Sequence, residues 1–183
     1  MATWNIDPTH TTVSFSVRHM MITTVRGTFS NASGTIQYDE SNPQNSSVDA
    51  KVDVSTINTG VGDRDAHLRS ADFFNADVNP ELRFKSSKVD LSGSNAKVTG
   101  DLTIGGVSKP VTFDVEYVGT GKNPFDGSER ISFNATGKIN REEFGLTWNV
   151  ALEAGGFLVG SDVKIELDIQ AVKVTENVPT QTA

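Results

Sequence analysis

A chain of 183 residues with 16 Lys and Arg against 23 Asp and Glu carries a net charge of −7 at neutral pH. That sign repels phosphate backbones and anionic bilayer surfaces, which removes nucleic acid as a first partner. The absence of cysteine removes disulfides, thiolate zinc sites and cysteine nucleophiles together, so packing and hydrogen bonds must hold the fold.

The length predicts one domain over residues 1–174, followed by a polar, flexible tail at 175–183. No stretch approaches the roughly 20 apolar residues of a membrane-spanning helix. The opening Met1-Ala2-Thr3-Trp4-Asn5-Ile6-Asp7 has no basic segment ahead of an apolar run, so the expected location is cytoplasmic, or periplasmic if the sequence is a trimmed mature form.

Strict apolar/polar alternation then marks strand after strand. Val13, Phe15 and Val17 alternate with Ser14, Ser16 and Arg18. A longer segment from Val25 to Tyr38 loses its phase between Phe29 and Ile36, which predicts a bulge around Ala32 to Gly34. Val48 to Ser55 alternates at every step. Asp63 to Phe74 reads instead as a helix, with Asp63 as a possible N-cap.

Strands resume over Leu82 to Leu91, whose phase slips at Ser86-Ser87, and over Ala96 to Ile104, Val111 to Tyr117, Ile131 to Ile139 and Val163 to Ala171. A second short helical or irregular piece is expected between Glu142 and Ala154. Eight strands with one dry face each, and almost no helix to cover it, leave a two-sheet sandwich or a closed barrel. Small inward residues, Ala50, Ala96, Gly100, Ala135 and Gly137, either leave an apolar hollow or, at the glycines, relieve strain where a barrel bends.

Candidate chemistry is sparse. His10, His19 and His67 show no local metal-ligand spacing, so no metal is expected. The densest polar cluster, Gly60 to Ser70, has three readings. Asp65 and His67 form an acid/base pair of a cavity hydrolase or isomerase, with Ser70 as nucleophile; or Asp63 caps the helix while Arg64 and Arg69 pair with acids; or Arg64, Asp65, His67 and Arg69 form a polar collar at a barrel mouth.

The residues also resemble the YceI-like, polyisoprenoid-binding family. The resemblance is carried by Trp4-x-Ile6-Asp7-x-x-His10, Val13-x-Phe15-x-Val17-Arg18-His19 and Val25-x-Gly27-x-Phe29, then by Arg64-Asp65-x-His67-Leu68-Arg69-Ser70-x-Asp72-Phe73-Phe74. It continues in Gly100-x-Leu102-Thr103-Ile104-x-Gly106, Lys109-Pro110-Val111, Ile139-x-Arg141-x-x-Phe144-Gly145-Leu146 and Val163-x-Ile165, in family order over residues 3–172.

The resemblance implies an all-β fold, an eight-stranded antiparallel lipocalin-like barrel with one or two short helices. It implies a non-catalytic protein enclosing a long apolar lipid, a polyisoprenoid, isoprenoid quinone or fatty-acid-like chain, for carriage, storage or sensing. Apart from that lipid no cofactor is expected, and a homodimer is possible. On this reading Phe15, Val17, Val52, Leu102, Phe113, Phe133 and Trp148 contact the lipid, and Arg64, Asp65, His67 and Arg69 stand at the mouth.

Overall fold

The structure is a computed structural model that describes residues 1–175, so most of the expected tail lies outside the described residues. Its strands are β1 (Ala2–Ile6), β2 (Thr12–His19), β3 (Thr23–Phe29), β4 (Ser33–Tyr38), β5 (Ser47–Asp53), β6 (Glu81–Ser92), β7 (Asn95–Ile104), β8 (Val107–Lys122), β9 (Glu129–Asn140) and β10 (Val159–Lys173). The sequence reading lacks β1, whose five residues are too short a run to stand out.

The ring order is β1-β4-β5-β6-β7-β8-β9-β10, and β10 pairs back onto β1 with Ile6 opposite Ala171, so eight strands close an antiparallel barrel. β2 and β3 prolong two of its walls. β10 pairs with β1 through Ala171–Lys173 and with β2 through Val159–Asp168, while β3 pairs with β2 as β4 pairs with β1. The Val25–Tyr38 segment is therefore one wall interrupted at residues 30–32, where the phase was expected to break. The slip in β6 is likewise a bulge between Ser86 and Lys88.

The single α-helix among the described residues, α1 (Gly62–Arg69), is shorter than predicted. Ser70 turns extended and its Oγ donates to the His67 carbonyl at 2.6 Å, which closes the helix there. Asp63 is not the N-cap; Val61 holds that position without a side-chain bond. The second helical piece reduces to a 3-10 turn, Arg141–Phe144, ended by Gly145 in the left-handed conformation.

One end of the barrel, below α1 and the 141–158 segment, is solid. Ile104, Val111, Ile139, Phe144 and Leu146 are buried there. Leu68 of α1 and Phe74 pack against Phe29, Val52 and Ile57, with Phe74 edge-on to Phe29 at 5.7 Å between centroids. The inward glycines belong to this packing and leave no hollow. A Cβ on Gly137 would stand 2.7 Å from the Phe113 ring, and one on Gly100 would stand 2.7 Å from Phe84 and 2.4 Å from the Lys85 carbonyl oxygen. Two phenyl rings thus occupy the space where side chains are missing, and they meet each other edge-on at 5.2 Å.

The break between β1 and β2 is tied by Asp7. Its carboxylate accepts from the Thr9 amide at 2.9 Å, from His10 Nδ1 at 2.8 Å and from Arg130 Nη1 at 2.5 Å, joining the first wall to β9 across β10. Burial raises its pKa, but the bonds from Thr9, His10 and Arg130 outweigh that and hold it well below the usual carboxylate range. A depressed native pKa contributes stability that is present above the unfolded value of about 4 and fades as pH falls towards the native one. Asp7→Asn is therefore expected to melt lower than the parent protein at neutral pH, with the gap narrowing below about pH 4. A gap that stays constant from neutral to acid would show that the charge is not what Asp7 contributes.

Candidate functional site

The other end of the barrel is hollow. A cavity of about 420 Å³ occupies the interior, lined from β1, β2 and β4 as well as from β5 to β10, within the size range of ligand pockets. Its wall comes from alternate residues of successive strands, among them Ala50, Val98, Val115, Ala135 and Leu167. Phe84 and Phe113 form part of the same wall on the side of the packed layer. Polar lining residues concentrate at the chain reversals, Ser46 and Ser47 at the start of β5 and Ser94 and Asn95 at the β6–β7 turn.

Leu91 and Tyr117 line the cavity while remaining 52% and 42% exposed, so the hollow reaches solvent beside the β6–β7 turn and the bulge in β8. The rest of this end is covered. Trp4 is buried beside Ile6, Ile36 and Ile131, with Lys173 Nζ 5.7 Å above its ring. Lys173 pairs with Glu129 over the same region. The Trp4 indole N–H has no acceptor among the described residues.

Between the covered and open parts stand three rings. Tyr38 and Tyr117 stack at 5.9 Å with 11° between their planes, and Phe133 lies against both at 5.6 and 5.8 Å. Burial raises the Tyr38 pKa, helped by Tyr117 and Glu40 nearby. The bulge between Tyr117 and Gly119 brings Thr120 into reach of Tyr117, whose Oη lies 3.0 Å from Thr120 Oγ1.

Of the residues expected to contact a ligand, Val52, Leu102, Phe113 and Phe133 line this cavity. Phe15, Val17 and Trp148 do not. Phe15 belongs to the packed end, 5.5 Å from Phe29 and directly over Gly27. Val17 pairs with Val25 and Val163 towards the same end. Trp148 sits outside the lumen against His67 at 4.7 Å and Phe73 at 5.4 Å.

The expected mouth residues stand at the other end, where α1 covers the packed half of the barrel. Asp65, 8% exposed, turns back to accept from the amide and hydroxyl of Thr59 at 2.8 and 2.6 Å. Arg64 also binds Thr59, through its hydroxyl and carbonyl, and pairs with no acid among the described residues. His67 Nε2 lies 2.9 Å from Asp72 Oδ2, so Asp65 and His67 form no pair, and Ser70 Oγ is engaged with a carbonyl. Arg69 lies in the last turn of α1 and does not line the cavity.

Sequence reasoning missed the role of Arg141. The residue is 5% exposed, and its guanidinium donates to the carbonyls of Gly160 at 2.8 Å, Leu146 at 2.5 Å, Trp148 at 3.1 Å and Val159 at 3.3 Å. Burial lowers its pKa, with Glu142 pulling the other way. The cation thereby fastens the 145–160 segment under the barrel. Tyr38 was also missed: alternation cannot report which strands face each other across a ring.

An eight-stranded antiparallel barrel, packed at one end and hollow at the other, places the chain among closed, lipocalin-like β-barrels. The chain belongs to the YceI-like family: the YceI-like domain matches residues 4–171. It is 39% identical over 166 residues to a UPF0312 protein of Staphylococcus aureus strain USA300, covering 91% of this chain and 95% of that one. Among solved structures it is similar to the Campylobacter jejuni YceI protein, at 31% identity and a TM-score of 0.71 over 86% of this chain and 90% of that one. The fold is shared as well by a polyisoprenoid binding domain from Saccharophagus degradans, implicated in plant cell wall breakdown, at 13% identity and a TM-score of 0.67 over 95% of this chain and all of that one. No helix among the described residues is long and apolar enough to cross a membrane.

Proposed function

We propose that this protein binds a long apolar lipid, of the polyisoprenoid, isoprenoid-quinone or fatty-acid type, inside the hollow half of its barrel, and carries, stores or senses it without transforming it. The observation that carries the reading is the apolar cavity of about 420 Å³ that meets solvent at Leu91 and Tyr117. The polyisoprenoid binding named for the Saccharophagus domain supports it.

Burying ten methylenes contributes about 8 kcal/mol at roughly 0.8 each, before the cost of ordering the chain, so such a lumen needs few polar contacts. Val52, Leu102, Phe113 and Phe133 are the proposed contacts from the original set. The test is extraction and mass spectrometry of protein purified without detergent, followed by titration with polyprenyl, quinone and fatty-acid analogues. A single-chain lipid in the extract, or saturable binding of one analogue class, is the expected result. Protein that is empty and binds none of them overturns the reading.

A further inference from the structure

The stacked tyrosines occupy a particular place in the ring. Tyr38 ends β4 and Tyr117 belongs to β8, and in the order β1-β4-β5-β6-β7-β8-β9-β10 these strands are four steps apart in either direction. Their rings meet at 5.9 Å, and both line the cavity, so the contact spans the lumen. One side of this span, over β1, β9 and β10, is already closed by Trp4 and the Lys173–Glu129 pair. The other, over β5, β6 and β7, is where Leu91 is half exposed.

Resting on the lipid-binding reading, we propose that Tyr38 and Tyr117 determine which lipids load: their stacked rings form a crossbar that leaves the entrance open only on the β5–β7 side, admitting one extended chain and excluding lipids with two. The cavity volume of about 420 Å³ lies at the small end of ligand pockets, in keeping with one chain. Phe133, in contact with both rings, backs the crossbar from β9, and the Tyr117–Thr120 hydrogen bond fixes one of its ends. A ring that merely papers the wall acts differently from one that obstructs the entrance. Removing the first speeds release alone, whereas removing the second speeds association too.

Stopped-flow fluorescence with dansyl-labelled undecanoic acid as the single-chain probe, and a fluorescent diacyl phosphatidylcholine as the two-chain probe, separates these cases. The parent protein is expected to load the first probe and not the second. Tyr38→Ala and Tyr117→Ala should each raise the association rate of the single-chain probe roughly two- to tenfold, the scale of one aromatic pair, and should make the two-chain probe bind measurably. Tyr38→Phe, which keeps the ring, should stay within about twofold of the parent. Melting curves confirm folding, and Tyr38→Leu replaces Tyr38→Ala should the alanine variant fail to fold. Unchanged association in both alanine variants, or a parent protein that takes up both probes equally, overturns the crossbar. A parent protein that binds neither probe and none of the polyprenyl and quinone analogues overturns the lipid reading itself.

Discussion

Arg141→Met is expected to lower the melting midpoint by roughly 6 to 12 °C, corresponding to about 3 kcal/mol in a domain of this size. The methionine fills similar volume and brings no charge, so the loss measures the carbonyls of Leu146, Trp148, Val159 and Gly160, which the guanidinium now binds. Buried carbonyls without donors are costly, and the 145–160 segment has few other means of satisfying them. Asn149 is one, bonding the backbone of Val159 in both directions. Arg141→Lys should fall between the two, since an ammonium offers donors from one point and cannot span four acceptors in a fork. Thermal melts followed by circular dichroism check this. A shift of less than about 2 °C for Arg141→Met would mean that the segment holds itself in place.

Ala135→Phe is expected to do the opposite: to leave the fold intact and remove the function. Ala135 is buried and lines the cavity, facing Val115 across the β8–β9 pair. Enlarging a side chain in a filled core usually costs about 1–3 kcal/mol, but here the ring has a hollow of about 420 Å³ to enter. The melting midpoint should therefore hold or rise, while affinity for a single-chain lipid drops at least about a hundredfold, the equivalent of losing the burial of three or four methylenes. Retained affinity in a folded Ala135→Phe protein would place the lipid somewhere other than this lumen.

The walls were legible in the sequence because a strand with one dry face must alternate, and seven of the eight walls do so with few errors. The phase slip between Phe29 and Ile36 was legible for the same reason, although the break falls at residues 30–32 and not as a bulge at Ala32–Gly34, and the slip at Ser86-Ser87 marks a true bulge. What alternation does not carry is position along the barrel axis. Phe15 and Phe133 look equivalent in a pattern of inward residues, yet one is packed under α1 and the other lines the hollow. The same blindness put Arg64, Asp65, His67 and Arg69 at a mouth: their polarity was read correctly, but the end of the barrel they cover depends on long-range packing of Leu68 and Phe74. Arg141 stood in the family motif, but its role was not legible, because an arginine whose guanidinium bonds main-chain carbonyls needs no partner residue in the sequence.

The phenyl rings of Phe84 and Phe113, which fill the space left at Gly100 and Gly137, stand where the lumen meets the packed layer. Their position depends on two missing side chains, so the depth of the hollow is a graduated quantity that the sequence can change in small steps. Under the proposed function this floor is a ruler. Trimming Phe113 to a smaller apolar residue lengthens the scale, adding a substituent to Gly137 displaces the mark, and the length of lipid that fits moves accordingly while the closed ring of strands stays as it is.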